Sequence, residues 1–492
     1  MTPSAPKRVA VVGGGISGLM AAKELADRGF AVEVFEGDRR LGGKIQSAPA
    51  NALGGHVINV GAEFIDSRDK NPRMTGLCDA LGVKLIEATD QKTEQFHLPD
   101  GTLLSGAAFH AAYRPLAEQI IADKARLIDN GRWSERAKQL DSMTLKDYLQ
   151  QLVANVPQGV DPRIVETAAR VYGSEVGRDP EQASALQFVN ESSAQLGTFL
   201  NSDCAYRIEG GTETLVDALR GDLARRGVTF HMNASVTALG KQGEQFQLGF
   251  SGSTPSEAKP AYDKVVLAVP AYALAKIDGL EALGITPEQR ALVAQAQYTH
   301  SAKFFVQLKD GVSVDNACFF SGNGFQAWTS EPGMMTFLVG GETPNSKKGV
   351  KLVSECLDAY AKAYGKTAED LFQMEPGKVV FGGPDQQKPC YCSPAAMQAM
   401  NLGGLISSFE KLAEKGLGIV GTYLPRRTAE GVSFGFMECG AESAHRTAKL
   451  LAEPQLAMDK TAADQMILGP HTAALDARRQ AATLQGLATP GA

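Results

Sequence analysis

Hydrophobic positions along this chain follow two rhythms that alternate in blocks. Short, mostly apolar runs at Val9–Val12, Val32–Phe35 and Lys264–Pro270 have the length and β-branched content of buried strands. Proline stops the last of them, and glycines follow the first. Strict alternation at Phe246–Phe250 and Ala302–Lys309 predicts half-buried strands, and Phe96–Leu104 reads as a hairpin turning at Asp100-Gly101. Other segments carry apolar residues at three- and four-residue spacing. They predict helices at Leu19–Arg28, Met74–Leu81, 114–130, 144–154, 162–172, 180–189, 213–226, 348–364 and from Gly440 to Leu451. Trp328 and Phe337 read as core packing.

The turn after the first run is Gly13-Gly-Gly15-Ile16-Ser17-Gly18, with the spacing G-x-G-x-x-G between a strand and a helix. Gly13 permits the tight turn, Gly15 lets a pyrophosphate approach the backbone, and Gly18 lets helix and strand pack closely. The first helical N–H groups, around Ile16 and Ser17, then face the phosphates. Glu36 ends the second strand, where an acid accepts the ribose hydroxyls and repels a 2′-phosphate. Taken alone, the turn predicts FAD or NAD.

Glu36 with Arg40-Leu-Gly42-Gly43-Lys44-Ile-Gln-Ser47 resembles the second motif of the flavin-dependent amine oxidase superfamily, which includes monoamine, L-amino-acid and protoporphyrinogen oxidases. The resemblance extends to about residue 452 and implies FAD. It places Arg40 and Lys44 near the pyrophosphate, with Gly42 and Gly43 allowing close backbone approach. Asn59-Val-Gly61-Ala62-Glu63-Phe64 is similar to the superfamily segment that runs beside the flavin ring, with Asn59 in place of the usual acid. Tyr206–Leu215 resembles the lead-in to a helix that Thr212 is expected to cap. The backbone at Val236 is implied to hold the adenine. Gly421-Thr422 and Met437-Glu438 resemble the last motif, whose helix N-terminus meets the flavin and stabilises its anionic reduced form. Tyr423 replaces the family's glutamate.

Two catalytic residues follow from the resemblance. Lys303 matches the lysine that contacts flavin N5 through a water in monoamine and polyamine oxidases; the competing reading is a solvent-facing strand lysine. Tyr391 is the candidate wall of an aromatic cage for the amine. Cys390 or Cys392 as a covalent flavin link competes with two unreactive thiols. His97 and His110 read as structural, and Arg68 is a candidate for a substrate carboxylate.

The implied fold is α/β: a Rossmann-like FAD-binding domain of the GR2, p-hydroxybenzoate hydroxylase-like kind, interleaved with an α+β substrate domain. Residues 1–85, 206–284 and 406–455 are assigned to the first and residues 86–205, a helical insertion, and 285–405 to the second. Residues 456–492 read as a weakly attached tail.

Composition narrows the picture further. Hydrophobic residues make up 43% and charged residues 21%, with a net charge of −6 and no basic run, which argues against nucleic acid or a membrane surface as partner. Seven scattered cysteines give neither a disulfide framework nor a zinc pattern, so no metal is expected. No signal pattern or apolar span predicts export or a membrane helix, and the expected location is the cytoplasm.

The function expected is oxidation of a C–N bond in an amine or amino acid to an imine, by hydride transfer to flavin N5. A protoporphyrinogen- or carotenoid-type desaturase is the alternative, followed by a non-catalytic flavoprotein. No second G-x-G-x-x-G follows a mid-chain strand, so the electron acceptor is expected to be oxygen, a quinone or a redox protein. A homodimer stays open.

Overall fold

Five strands form one parallel sheet in the spatial order Leu417–Ile419, Lys264–Leu267, Arg8–Val12, Ala31–Phe35 and Thr229–His231. This is a computed structural model, and it describes residues 6–453 except 49–52, 130–131, 253–254, 256–257, 260, 295–296, 299–300, 342–348, 376–378, 383–388, 391–403, 425, 429–430 and 434. Tyr391, Cys392 and the 456–492 segment therefore lie outside the described residues, as does the side chain of Cys390.

Alternation along the central strand sorts its residues between two cores. Val9 and Val11 pack with Leu19, Leu25, Leu219, Val266 and Ala444, whereas Ala10 and Val12 pack with Phe35, Leu239, Phe246 and Leu267. The first group is the meeting place of helices Ile16–Asp27, Glu213–Arg225 and Met437–Ala452. Both faces of the sheet are thus covered, which explains why its strands read as apolar runs. Each wholly buried valine or leucine contributes about 1.5–3 kcal/mol.

A second sheet has seven strands: Val379–Gly382, Ser301–Gln307, Met334–Gly340, Phe325–Glu331, Cys318–Ser321, Glu94–His97 and Leu103–Ser105, in that order. Its pairings are antiparallel except for Cys318–Ser321 beside Glu94–His97, which runs parallel and joins chain segments more than two hundred residues apart. The hairpin and the strand around Lys303 match expectation. The three strands between Cys318 and Gly340 are additional, and they contain Trp328 and Phe337.

Helices Gly106–Lys124, Leu145–Ala154, Pro162–Val176 and Ala185–Glu191 fill the segment between the hairpin and Tyr206. The first starts earlier than its periodicity predicts. The Ser105 hydroxyl accepts a bond from Ala108 N–H, and the helix runs through Pro115 to Lys124. The last begins at Ala185 rather than near 180, because Ser184 caps it there by accepting from Gln187 N–H. Among the described residues no helix is long and apolar enough to cross a membrane.

Candidate active site

The glycine turn is built as the spacing requires. A β-carbon on Gly18 would overlap the Gly13 carbonyl oxygen, so this position admits only glycine. Gly15 is different: a β-carbon there would find its nearest neighbour, Gly43 Cα, only at 3.9 Å. The space in front of Gly15 is open, while Gly15 also serves as N-cap of helix Ile16–Asp27 without a side-chain cap. Open room before an uncapped helix N-terminus suits a pyrophosphate. Glu36 stands at the rim, its carboxylate accepting from Gly14 N–H at 2.6 Å and Asp38 N–H at 2.8 Å. The Gly42-Gly43 loop closes on the turn through a bridge from Gly42 to Gly15 and a bond from Gly42 N–H to Gly14 O of 2.8 Å.

Arg40 holds that loop from behind. Its guanidinium donates to the carbonyl oxygens of Leu41, Gly43 and Ile45. Lys44 is exposed. The next segment passes directly alongside, with Gly61 N–H donating to Gln46 O at 2.9 Å and Ala62 N–H to Lys44 O at 3.2 Å. A β-carbon on Gly61 would overlap the Lys44 carbonyl oxygen, which explains the small residue there. Ala234 N–H donates to Glu36 O at 2.8 Å, and this brings Val236, buried at the start of strand Val236–Gln242, to the same edge. Gly421 N–H donates to the Ser443 hydroxyl at 3.1 Å, and Thr422 and Ser17 both lie against Gly440. Met437 begins helix Met437–Ala452, whose N-cap Phe436 supplies no side-chain bond. The structure thus gathers residues 13–18, 36, 42–44, 59–64, 234–236, 421–422 and 436–440 around one cradle, whose open glycine, uncapped helix and rim carboxylate fit FAD.

Lys303 is buried, not solvent-facing. Its ammonium donates to Glu63 Oε2 at 2.5 Å, Asn59 O at 2.8 Å and Gly61 O at 3.5 Å. Glu63 Oε1 accepts from Arg207 Nε at 2.8 Å and Trp328 Nε1 at 3.0 Å. Arg207 then grips both oxygens of Asp90, at 2.5 and 2.7 Å. All five side chains are buried, and the four charges alternate in sign. Burial pushes the Glu63 carboxyl up, but the charges of Lys303 and Arg207 outweigh it and hold it below the usual carboxylate range. Burial works against the Arg207 charge too, and is outweighed by Asp90 and Glu63. Arg207 also lies 4.5 Å over the Phe64 ring, which packs against Trp328.

Arg207, Asp90 and Trp328 are the residues that reading the sequence misses. Arg207 and Asp90 are 117 positions apart and Glu63 and Trp328 are 265 apart, so no local spacing marks them.

Other expectations need correction. Thr212 does not cap helix Glu213–Arg225 with its side chain; its hydroxyl donates to Asn59 Oδ1 and Ala62 O, and the Ser47 hydroxyl accepts from Glu213 N–H instead. Asn59 has a defined task in this arrangement, since its side-chain oxygen also accepts from Thr212 N–H and Ser47 Oγ. Arg68 is an exposed partner of Asp79. Tyr423 is buried with its ring against Gly421. His97 meets Ser321 Oγ at 3.3 Å and His110 meets Glu94 at 2.6 Å, both as structural side chains.

Comparison with known proteins agrees with this geometry. The sequence profile described as flavin-containing amine oxidoreductase matches residues 16–372. The chain belongs to this family, and its cofactor is FAD. It is 23% identical over 315 residues to nicotine dehydrogenase of Pseudomonas putida, covering 62% of this chain and 61% of that protein. A local match of 45% over 78 residues links it to protoporphyrinogen oxidase 2 of Arabidopsis thaliana, covering 16% of this chain and 14% of that one. The chain thus spans less than two thirds of the length of these curated relatives. Among solved structures, cyclohexylamine oxidase from Brevibacterium oxydans superposes with a TM-score of 0.71 at 19% identity, over 92% of this chain and 100% of that one. That likeness establishes a shared mixed α/β fold.

Proposed function

We propose that this protein is an FAD-dependent oxidoreductase that oxidises the C–N bond of an amine or amino acid to an imine. The observation that carries this reading is the position of Asn59–Phe64, which lies between the glycine cradle and the buried Lys303 ammonium. FAD, when bound, supplies the hydride acceptor at N5.

The chain's own residues bind, orient and exclude water. Gly13, Gly15, Gly18 and the N–H groups of Ile16 and Ser17 take the pyrophosphate. Glu36 takes the ribose, and the Val236 backbone takes the adenine. Gly42, Gly43 and Lys44 close over the phosphates while Arg40 stiffens their loop. Gly61, Ala62, Glu63 and Phe64 flank the ring, and Gly421, Thr422 and Met437 bring a helix N-terminus to its pyrimidine edge, where the dipole favours negative charge. Lys303 keeps a buried cation beside the reacting edge. A substrate that binds as the neutral amine needs no acid or base, because a desolvated pocket disfavours its ammonium form. Tyr391 remains the candidate aromatic wall.

The five-stranded parallel sheet supports a Rossmann-like FAD-binding domain assembled from residues 1–85, 206–284 and 406–455. The seven-stranded sheet and the helices before Tyr206 support a substrate domain from residues 86–205 and 285–405. Oxygen, a quinone or a redox protein would take the electrons, in the cytoplasm.

Likeness to proteins named for nicotine and cyclohexylamine favours an amine, and the protoporphyrinogen oxidase likeness is confined to 16% of the chain. The test is anaerobic bleaching of the yellow holoprotein by a panel of amines, amino acids and porphyrinogens, with peroxide measured once air is admitted. Bleaching by an amine or amino acid is expected. Bleaching by porphyrinogens alone, or by nothing, would sink the proposal.

A further inference from the structure

The ladder Asp90–Arg207–Glu63–Lys303 carries two negative and two positive charges, so as a unit it is neutral. Its members come from four separate chain segments, and Trp328 supplies a further donor to the same Glu63 oxygen that Arg207 engages. The three protons of the Lys303 ammonium have three acceptors: a carboxylate and the carbonyl oxygens of Asn59 and Gly61. An ammonium so engaged is held in one place, and the carbonyl oxygens fixing it belong to the segment assigned to the flavin edge. A lone buried cation here would project a strong field, because little solvent screens it. The Glu63 carboxylate at 2.5 Å cancels most of that field.

We propose that Glu63 is a positioning residue of this site: it fixes the Lys303 ammonium against the 59–61 backbone and neutralises it, so that the flavin edge meets a charge-balanced wall instead of a free cation. Arg207 and Trp328 act through Glu63 by setting the plane of its carboxylate. This inference rests on the placement of FAD beside residues 59–64 given above.

The experiment uses four FAD-loaded proteins: the parent, E63Q, K303M and the E63Q/K303M double variant. Sulfite is the probe, since it adds to flavin N5 and bleaches the yellow band, and its affinity rises with positive charge near the ring. Removing Glu63 leaves the ladder at +1, removing Lys303 leaves it at −1, and removing both restores neutrality. Sulfite affinity is expected to rise about tenfold in E63Q, fall about tenfold in K303M, and return to within about threefold of the parent in the double variant. If E63Q alone fails to fold, the comparison of K303M with the double variant decides: the second substitution must recover most of the lost affinity. Equal affinity in all forms would overturn the proposal. So would weakening by both single changes with no recovery in the double, the pattern of disturbed packing. Sulfite binding needs no amine, so a flavin that no amine bleaches sinks the proposed function while the sulfite constants still decide this inference.

Discussion

The side-chain oxygen of Asn59 accepts hydrogen bonds from both the backbone N–H of Thr212, at 2.9 Å, and its hydroxyl, at 2.7 Å. The bond ties the Asn59–Phe64 segment to the start of helix Glu213–Arg225 and asks only for an acceptor. Asn59→Asp supplies one and is expected to keep stability within about 1 kcal/mol of the parent and to retain FAD. Asn59→Leu leaves the buried Thr212 N–H without its acceptor, while the hydroxyl keeps Ala62 O, and is expected to cost about 1–3 kcal/mol. Urea unfolding of the two variants checks this; a leucine variant as stable as the parent would refute it.

Two glycines of the same turn predict different failures. Gly18→Ala drives a methyl into the Gly13 carbonyl oxygen, and the apoprotein itself should melt lower. Gly15→Ala meets nothing closer than 3.9 Å in the protein, so the apoprotein should melt normally while FAD binding weakens at least about tenfold. Thermal melts without cofactor, paired with FAD titration, separate the two. Equal loss of apoprotein stability in both would contradict the reading of Gly15 as ligand space.

Helix Met437–Ala452 is also locked to helix Ile16–Asp27 by a charge contact. Glu24 accepts from His445 Nδ1 at 2.9 Å and from Arg28. Burial pushes this carboxyl up, but His445 and Arg28 outweigh it and bring it from 4.5 to about 2. A lowered carboxyl contributes stability that is full above the unfolded value of 4.5 and is lost as pH falls toward about 2. After discounting for solvent screening the contribution is about 2 kcal/mol. Glu24→Gln should flatten that part of the stability–pH curve between about pH 5 and 2, measured by urea unfolding at successive pH values. An unchanged slope would show that the pair is idle.

Glu438 reaches out of its own helix to cap another. Its carboxylate accepts from Arg73 N–H at 3.0 Å and Met74 N–H at 2.8 Å, in the first turn of helix Pro72–Leu81. Glu438→Ala strands these donors and is expected to cost about 1–3 kcal/mol, with Glu438→Gln costing less because an acceptor survives. Hydrogen exchange at Arg73 and Met74 is the direct readout, and protection left intact by alanine would refute the capping role.

What the sequence discloses is what depends on neighbours along the chain. The strand at Arg8–Val12, the turn at Gly13–Gly18 and the hairpin before Leu104 follow from local runs and turn chemistry. Helix Gly106–Lys124 is misplaced by its periodicity because Ser105, a cap, decides the start and Pro115 is tolerated within. Strands at Cys318–Gly340 are hidden because residues such as Phe319, Ala327 and Phe337 are all buried, and a strand without an exposed face shows no alternation. At the site, the burial of Lys303 could be weighed from its strand, but its acceptors lie some 240 positions away, and no pattern in one chain announces them.

The central strand Arg8–Val12 has one neighbour, Ala31–Phe35, close in sequence and another, Lys264–Leu267, far from it. Time during synthesis therefore matters. When the chain has emerged as far as residue 260, only three of the five strands described in this sheet exist, and Val9–Val12 still present an unpaired edge. Helix Met437–Ala452, which packs over Val11's face, is the last of the described elements to arrive. A nascent chain that has passed Gly18 already carries the glycine turn but leaves it without its full supporting wall until Ala452 has been made, so an apolar strand edge stays open through most of that synthesis.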